Sequence, residues 1–176
     1  GEAFRDVCTT IGVNPEVGMG GEKASLPYHG ATGDLRANGV PGPYLMVDLG
    51  GGSTEFVRGT DEVQRARSVD VGCVRMTERH LRGDPPTPSE IAAAVRDIEA
   101  AIDRAAEDVA FQGISTLVGL AGSVTTITAH ALRLPSYQPD EIHLSRLPAA
   151  QVIDACSSLL SMTRAERAAL PLMHPA

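Results

Sequence analysis

Eight consecutive residues, Asp48 to Glu55, combine two carboxylates, two hydroxyls and three contiguous glycines. The apolar run Tyr44–Val47 in front of them predicts a strand that ends at the first carboxylate. Glycines have no Cβ, so they let backbone N–H groups approach a ligand closely. Such N–H groups and hydroxyls hold phosphate oxygens, while two carboxylates hold a divalent cation or a water. The candidate phosphate ligands are therefore Gly50, Gly51, Gly52, Ser53 and Thr54.

The order of these residues excludes two common phosphate-binding motifs. A P-loop requires Lys followed by Ser or Thr after its last glycine, and a dinucleotide fingerprint requires spaced glycines that open a helix. Here the glycines are contiguous, and Thr54–Val57 predicts a second strand. We therefore predict two antiparallel strands joined by a turn at Gly50–Thr54, with its N–H groups directed into a cleft. An ordinary hairpin with a flexible tip is the alternative, although it has no need of flanking acids.

A second apolar run also ends in small residues. Within Ser115–Ile127 the residues Thr116–Gly119 predict a strand, and the pattern that continues through Ile127, Ala131 and Leu132 predicts a helix. The turn between them places the N–H groups of Gly122 and Ser123 at a helix N-terminus, where the macrodipole favours an anion. Small-residue turns also occur for packing alone, but two loops of this kind on one chain strengthen the phosphate-binding interpretation.

The chain resembles the exopolyphosphatase and guanosine pentaphosphate phosphohydrolase (Ppx/GppA) family, a branch of the actin and sugar-kinase superfamily. Three segments carry the resemblance: DLGGGSTEF at Asp48–Phe56, SVDVGCVRMT at Ser68–Thr77 and GLAGSVTT at Gly119–Thr126. Weaker matches lie at Pro15–Val17 and Ala24–Ala31. Together these segments cover most of the chain from about Glu16 onward.

The resemblance implies an α/β fold of the ribonuclease H-like (actin-like ATPase) class. Its mixed sheet is expected to have three antiparallel strands followed by strand–helix alternation. Residues 1–31 would be the end of a first actin-like subdomain, and residues 32–176 a second one that is incomplete at its C-terminus. Family enzymes close their site between two subdomains, and the Asp with Gly-Ser-Asn-Ser of the first is absent here. We therefore expect a piece of a longer protein that by itself binds phosphate weakly and hydrolyses it little.

The activity implied by the resemblance is hydrolysis of phosphoanhydrides. The substrate would be the end of inorganic polyphosphate or the 5′-phosphate of guanosine pentaphosphate. Mg²⁺ or Mn²⁺ would lie near Asp48 and Glu55, held largely through waters, and Glu55 is also a candidate for orienting the attacking water. One alternative is a non-catalytic phosphate- or nucleotide-binding regulator of the same fold. Another is a sugar or acetate kinase, whose adenosine pocket and sugar-binding insert the sequence does not indicate.

One position departs from the family pattern. The segment matching Glu16–Ala24 ends in Glu-Glu-Ala in the family, and its second glutamate is the proposed general base. Here Lys23 takes that position and Glu22 precedes it. A lysine with an ordinary pKa of about 10.4 is protonated at neutral pH and cannot accept the proton. Four alternatives stay open: Glu22 takes over, catalysis is weakened, Lys23 binds phosphate as a cation, or Lys23 points to solvent.

The composition describes an acidic chain. The formal net charge is -7 and the pI about 5.2, which argues against a nucleic-acid partner because nothing would neutralise backbone phosphates.

No signal peptide and no apolar run of membrane-spanning length is found, so we predict no membrane partner. Cys8, Cys73 and Cys156 lack a CxxC spacing and are predicted to be reduced, buried thiols of a cytoplasmic protein. A homodimer is the expectation for the full-length protein.

The pattern of apolar and turn residues predicts the order of the elements. Strands are predicted at Tyr44–Leu49, Thr54–Arg58, about Arg67–Val71, Thr116–Gly119 and Glu141–Leu144. Helices are predicted at the start of Glu22–Gly30 and at Cys73–Leu81, Pro88–Phe111 with Ser89 as cap, Ser123–Leu132, Pro148–Leu160 and Arg164–Leu170. Residues 31–43 are predicted to be a connector and residues 58–67 a solvated hairpin loop. Arg75 follows a strand end, from which it could reach a phosphate or lie on a helix surface.

Overall fold

The computed structural model describes residues 20–173, with side chains from residue 26 onward. The strands are β1 (Tyr44–Leu49), β2 (Thr54–Gly59), β3 (Val63–Val69) and β4 (Thr116–Leu120). The helices are α1 (Gly20–Ala37), α2 (Cys73–His80), α3 (Pro88–Val109), α4 (Gly122–Ala131), α5 (Pro139–Ile142), α6 (Ala149–Ser161) and α7 (Arg164–Ala168). None of these helices combines the length and the apolar character that crossing a membrane requires.

The four strands form one mixed sheet in the order β3-β2-β1-β4. Strand β2 is antiparallel to both β1 and β3, whereas β1 and β4 are parallel. Helices α2 and α3 lie in the crossover that a parallel neighbour requires. The predicted α/β class with a mixed sheet is confirmed. So is the predicted strand–turn–strand, because Leu49 pairs with Thr54 across the loop Gly50–Ser53.

Side chains alternate between the two faces of the sheet, and each face packs against a different helix. Helix α3 lies on one face, where its buried residues recur at helical spacing. The buried members of this core are Leu45, Phe56, Val69, Val71, Met76, Ala101, Ala105 and Val109.

The second core lies between the opposite face of the sheet and α1. Its buried members are Tyr28, Leu35, Val40, Tyr44, Met46 and Val57. Residues two apart on a strand share a face, so Asp48 lies on the same face as Met46. Glu55 is directly opposite Asp48 in the register of β1 and β2. Both carboxylates therefore lie on the α1 side of the sheet, beyond the end of the apolar core.

Helix α1 continues through residues that were expected to form a connector. The glycine- and proline-containing segment 31–43 predicted a loop, but the helix extends to Ala37. Tyr28, Thr32 and Leu35 explain the difference, because they are three or four residues apart and all buried. Burial against the sheet therefore outweighs the low helix propensity of the local glycines. The predicted division between residues 31 and 32 falls within this helix and stays a prediction.

Tyr28 fixes α1 to the turn between β2 and β3. Its side chain is fully buried, and its hydroxyl donates to the Thr60 carbonyl oxygen at 2.9 Å. Burial, partly opposed by the charge of Arg36, raises the pKa of Tyr28 to about 12. A Cβ at Gly59 would lie 2.6 Å from the tyrosine hydroxyl, so only glycine leaves room for it. This anchor is at the opposite end of the sheet from the loop Gly50–Ser53.

Two further predictions about the elements are wrong. The predicted loop at 58–67 is reduced to the turn 60–62, because β2 and β3 pair with each other on both sides of it. The predicted strand Glu141–Leu144 is replaced by the short helix α5, which has Pro139 in its first turn and buries Ile142. Proline has no backbone N–H group, but at the first helical position no hydrogen bond within the helix uses that group. A helical turn therefore forms where the residue pattern indicated a strand.

A capping box begins helix α3. The hydroxyl of Thr87 accepts from the Glu90 N–H group, and the Glu90 carboxylate accepts from the Thr87 N–H group at 2.8 Å. The same carboxylate accepts from the N–H groups of Arg82 and Gly83 at 3.0 and 3.1 Å. These bonds, led by the one from the Thr87 backbone, lower the pKa of Glu90 to about 2. The predicted cap Ser89 is wrong because the capping box selects Thr87.

We expect Glu90→Gln to reduce the loss in free energy of unfolding that acidification causes. A carboxyl group with a lowered folded pKa contributes stability above its unfolded value of 4.5, and this contribution is lost as the pH falls towards about 2. The amide cannot ionise, so the variant should be less stable above pH 4.5 and should lose less on acidification. Urea unfolding between about pH 2 and 7 measures the free energy of unfolding. Glu99→Gln, at an exposed position of the same helix, is the control; identical profiles for the two variants would contradict this role of Glu90.

Candidate functional site

Both predicted phosphate loops lie at one edge of the sheet. Strands β1 and β4 are parallel neighbours, with Asp48 opposite Leu120. Both strands therefore end at the same edge, where β1 continues into Gly50–Ser53 and β4 into α4. The predicted ligands Gly122 and Ser123 are the first two residues of α4. Their N–H groups belong to the first turn of the helix, which lacks intrahelical acceptors and favours an anion.

The N–H groups of the glycine loop are available for a ligand. Within the loop, the Gly50 N–H group donates to the Ser53 carbonyl oxygen at 3.0 Å. Among residues 26–173, where side chains are described, no acceptor takes the N–H groups of Gly51, Gly52 and Ser53. Successive unpaired N–H groups in a turn favour an anion such as phosphate. This arrangement fits the role predicted for the three residues.

The carbonyl groups of the same loop are held by the N-terminus of α2. The Cys73 N–H group donates to the Gly50 oxygen at 3.0 Å, and those of Val74 and Arg75 donate to the Gly51 oxygen at 2.9 and 3.0 Å. The first N–H groups of a helix have no partners inside the helix. These contacts therefore satisfy the helix terminus and the loop together.

Gly72 and Thr54 complete the junction between the loop and α2. A Cβ at Gly72 would lie 2.6 Å from the carbonyl carbon and oxygen of Gly51, so the close approach requires glycine. The Thr54 side chain is buried, and its hydroxyl donates to the Val71 carbonyl oxygen at 2.6 Å. The Thr54 hydroxyl, expected from the sequence to face phosphate, thus has an acceptor within the protein.

Asp48 and Glu55 face each other across β1 and β2, and both are half-buried. Burial raises the pKa of Asp48, and the negative charge of Glu55 raises it further. The Glu55 Oε1 atom accepts from the hydroxyls of Ser53 and Ser68, each at 2.8 Å. Two hydroxyls thus fix one carboxylate oxygen. Within the described part of the chain, the Oε2 atom has no partner and can bind a ligand.

Ser68 is a site residue that the local sequence pattern does not identify. It lies on β3 directly opposite Glu55, so the strand register brings its hydroxyl to the carboxylate. The one signal in the sequence is its position at the start of the segment SVDVGCVRMT. That signal does not say which residue the hydroxyl contacts, because the contact depends on pairing between β2 and β3.

The paired carboxylates fit a hard divalent cation. Magnesium in phosphate sites usually takes one or two carboxylates and completes its shell with waters and phosphate oxygens. Among the side chains that the structure describes, residues 26–173, no cluster of three or more His, Cys, Asp or Glu could hold a metal ion. Asp48 and Glu55 therefore suit an ion that takes its other ligands from water and substrate. A cation would also relieve the repulsion that contributes to the raised pKa of Asp48.

Glu22 and Lys23 lie in the first turns of α1, and their side chains are outside the described residues. The backbone places them on the helix that packs against the Asp48 face of the sheet. Their predicted catalytic roles stay predictions.

Comparison with known proteins identifies the family. A family model described as the Ppx/GppA phosphatase family matches residues 1–176. A relative from Mycobacterium tuberculosis named Exopolyphosphatase 2 is 46% identical over 160 residues, which are 91% of this chain and 50% of the relative. A relative from Aeromonas salmonicida named Guanosine-5'-triphosphate,3'-diphosphate pyrophosphatase is 30% identical over 113 residues, which are 64% of this chain and 22% of the relative. The crystal structure of an exopolyphosphatase-like protein matches with a TM-score of 0.91 at 42% identity, over 97% of this chain and 55% of that one.

The chain belongs to the Ppx/GppA phosphatase family, and the resemblance found in its motifs is confirmed. It spans about half the length of the Mycobacterium tuberculosis relative. This span of the chain contains a glycine loop, a second helix N-terminus and two facing carboxylates.

We expect Gly72→Ala to destabilise the protein, because the added methyl group would overlap the Gly51 peptide at 2.6 Å. Overpacking of this kind typically costs about 1–3 kcal/mol. Gly33→Ala is the matched control, since it makes the same change inside α1 with no atom within 4 Å of the added Cβ. It should stabilise the helix by about 0.5–1 kcal/mol. Urea unfolding measures both variants, and a neutral or stabilising Gly72→Ala would contradict the close packing of α2 on the loop.

Proposed function

We propose that this chain is part of a phosphoanhydride hydrolase, in which residues 1–31 are the end of a first ribonuclease H-like (actin-like) subdomain and residues 32–176 belong to a second one. One observation carries the proposal. Among residues 26–173, the N–H groups of Gly51, Gly52 and Ser53 have no protein acceptor, and the loop lies between the end of β1, which carries Asp48, and the start of β2, which carries the facing Glu55. N–H donors suit phosphate oxygens, and paired carboxylates suit the cation that accompanies phosphates.

The proposed substrate is the end of inorganic polyphosphate or the 5′-terminal phosphate of guanosine pentaphosphate. Family membership supports both, and so do the names of the Exopolyphosphatase 2 and pyrophosphatase relatives. The higher identity to the first relative favours polyphosphate. A chain with a net charge of -7 does not attract a polyanion through its overall field. Its affinity must therefore come from local donors and a bound cation.

The proposed mechanism divides the work among the described residues. Asp48 and Glu55 would hold Mg²⁺ or Mn²⁺, which neutralises charge on the terminal phosphates when bound. The loop N–H groups, with those of Gly122 and Ser123, would stabilise charge on the transferring phosphoryl group. Glu55 would orient the attacking water, because serine hydroxyls already fix its carboxylate. Glu22 is the second candidate for this role.

A non-catalytic phosphate-binding regulator of the same fold is the alternative, and Lys23 at the position of the family's base favours it.

The proposed location is the cytoplasm. The free thiols of Cys73 and Cys156 support this location, although Cys73 is exposed and not buried as expected. Cys8 lies outside the described residues. A homodimer of the full-length protein stays a prediction.

The proposal is tested with the full-length protein, which includes any sequence beyond residues 1–176. The measurement is the release of inorganic phosphate from polyphosphate in the presence of Mg²⁺. We expect Glu55→Gln to lower the rate about 10²- to 10⁴-fold, the usual contribution of a positioned acid–base group. Glu99→Gln, on the exposed side of α3, should keep the wild-type rate. Binding of polyphosphate without release would support the regulator, and a product that requires ADP would indicate a kinase.

Lys23→Glu should raise the rate of phosphate release in the same protein, because it restores a carboxylate where the family resemblance places the general base. The gain should be about 10²- to 10⁴-fold. Glu22→Gln tests whether the neighbouring acid has taken over; in that case it abolishes release, and Lys23→Glu changes little. Steady-state release measures both variants. If neither variant altered the rate, the placement of Glu22 and Lys23 at the catalytic site would be wrong.

A further inference from the structure

We propose that Arg75 positions the third peptide of the phosphate loop and, with it, the Ser53 N–H group. The inference rests on the proposed function, since it assigns that N–H group to a phosphate oxygen. Arg75 is a positioning residue in this account: its side chain acts on the loop backbone, and the backbone meets the ligand.

Each available N–H group of the loop shares a peptide with a carbonyl group. The loop peptides are trans, so the carbonyl of one residue and the N–H of the next point in opposite directions. Holding the Gly50 carbonyl therefore orients the Gly51 N–H group. Holding the Gly51 carbonyl orients the Gly52 N–H group in the same way. The first backbone N–H groups of α2 hold these two carbonyls.

The third peptide depends on a side chain instead. The Gly52 carbonyl oxygen accepts from the Arg75 Nε atom at 2.7 Å, and no other donor in the described side chains and backbone of residues 26–173 reaches it. The Arg75 Nη2 atom lies 3.6 Å from the Asp70 Oδ1 atom, which steadies the guanidinium beside the loop. Arg75 thus extends the row of α2 donors by one peptide, and the N–H group it orients is that of Ser53.

Glycine makes this contact necessary. Gly52 is exposed, and a Cβ built on it would meet Arg75 at 3.6 Å, so little packing restrains its backbone. Glycine adopts φ values of either sign with similar ease. A flip of the Gly52–Ser53 peptide would turn a carbonyl oxygen, not an N–H group, towards the phosphate. The bond from Arg75 opposes that flip.

Arg79 shows the behaviour of an ordinary surface arginine on the same helix. It lies one turn further along α2 and pairs with Asp97 of α3 at 2.9 Å. The side chains of Arg75 and Arg79 are similarly exposed, at 44% and 47%. The two residues therefore differ mainly in their partners, which makes Arg79 the matched control for Arg75.

Isothermal titration of Mg²⁺–tripolyphosphate into the protein as encoded tests the inference. We expect Arg75→Met to weaken binding about tenfold or more, because a charge-assisted hydrogen bond is lost and the loop donors lose their orientation. Arg79→Met removes the same charge and should stay within about twofold of the wild type. Arg75→Lys keeps the charge and a donor but not the fixed planar group, and should bind more weakly than the wild type and more tightly than Arg75→Met. Wild-type affinity in Arg75→Met would overturn the inference, and so would an equal loss of affinity in Arg79→Met, since the loss would then follow charge alone.

The backbone amide of Ser53 separates this inference from the proposed function. Without any ligand, Arg75→Met should shift the Ser53 amide resonance and lower its backbone order parameter, whereas Arg79→Met should leave both unchanged. If the wild-type protein did not bind tripolyphosphate, the proposed function would fail, while an altered Ser53 amide would still support the role of Arg75. An unchanged Ser53 amide in Arg75→Met would overturn that role regardless of what the protein binds.

Discussion

The backbone hydrogen bonds between the glycine loop and the N-terminus of helix α2 set the geometry on which the rest of the site depends. They join the carbonyls of Gly50 and Gly51 to three helix N–H groups at 2.9 to 3.0 Å. The bonds form only if β3 returns beside β2 in the correct register and if Gly72 lets the two backbones approach. A slip of one residue in β3 would also turn Ser68 to the opposite face of the sheet, away from Glu55. Loop orientation and carboxylate position therefore share one structural cause.

Electrostatics explain why the site needs such fixed donors. The chain carries a net charge of -7, and two of its carboxylates, Asp48 and Glu55, lie where a phosphate would bind. The raised pKa of Asp48 records the cost of burial and of the neighbouring charge. Oriented N–H groups attract an anion without adding a mobile charge, and a divalent cation would offset both the carboxylates and the phosphates. An acidic protein can thus hold a polyanion through a small number of local contacts.

Elements with a strong local signature could be predicted from the sequence, and elements shaped by distant contacts could not. Strand β1 has its predicted bounds, Tyr44–Leu49, because an apolar run ends at contiguous glycines. Helix α1 runs past its predicted end because Thr32 and Leu35 continue the buried face that begins at Tyr28, whose hydroxyl meets a turn 32 residues away in the chain. The predicted strand Glu141–Leu144 is a helical turn whose Ile142 packs in a third core with Leu172. Local patterns carry no information about such partners.

For the site, the sequence by itself determined the chemistry. Contiguous glycines between Asp48 and Glu55 specify N–H donors beside paired carboxylates, and the family motifs indicate phosphate as the ligand. Only the tertiary structure decided how these groups are aimed. It joins Glu55 to Ser68, turns the Thr54 hydroxyl into the protein and places Arg75 on the Gly52 carbonyl. Residue type sets which atoms can donate or accept, but strand register and the starting point of a helix, both set by long-range packing, decide which atoms meet.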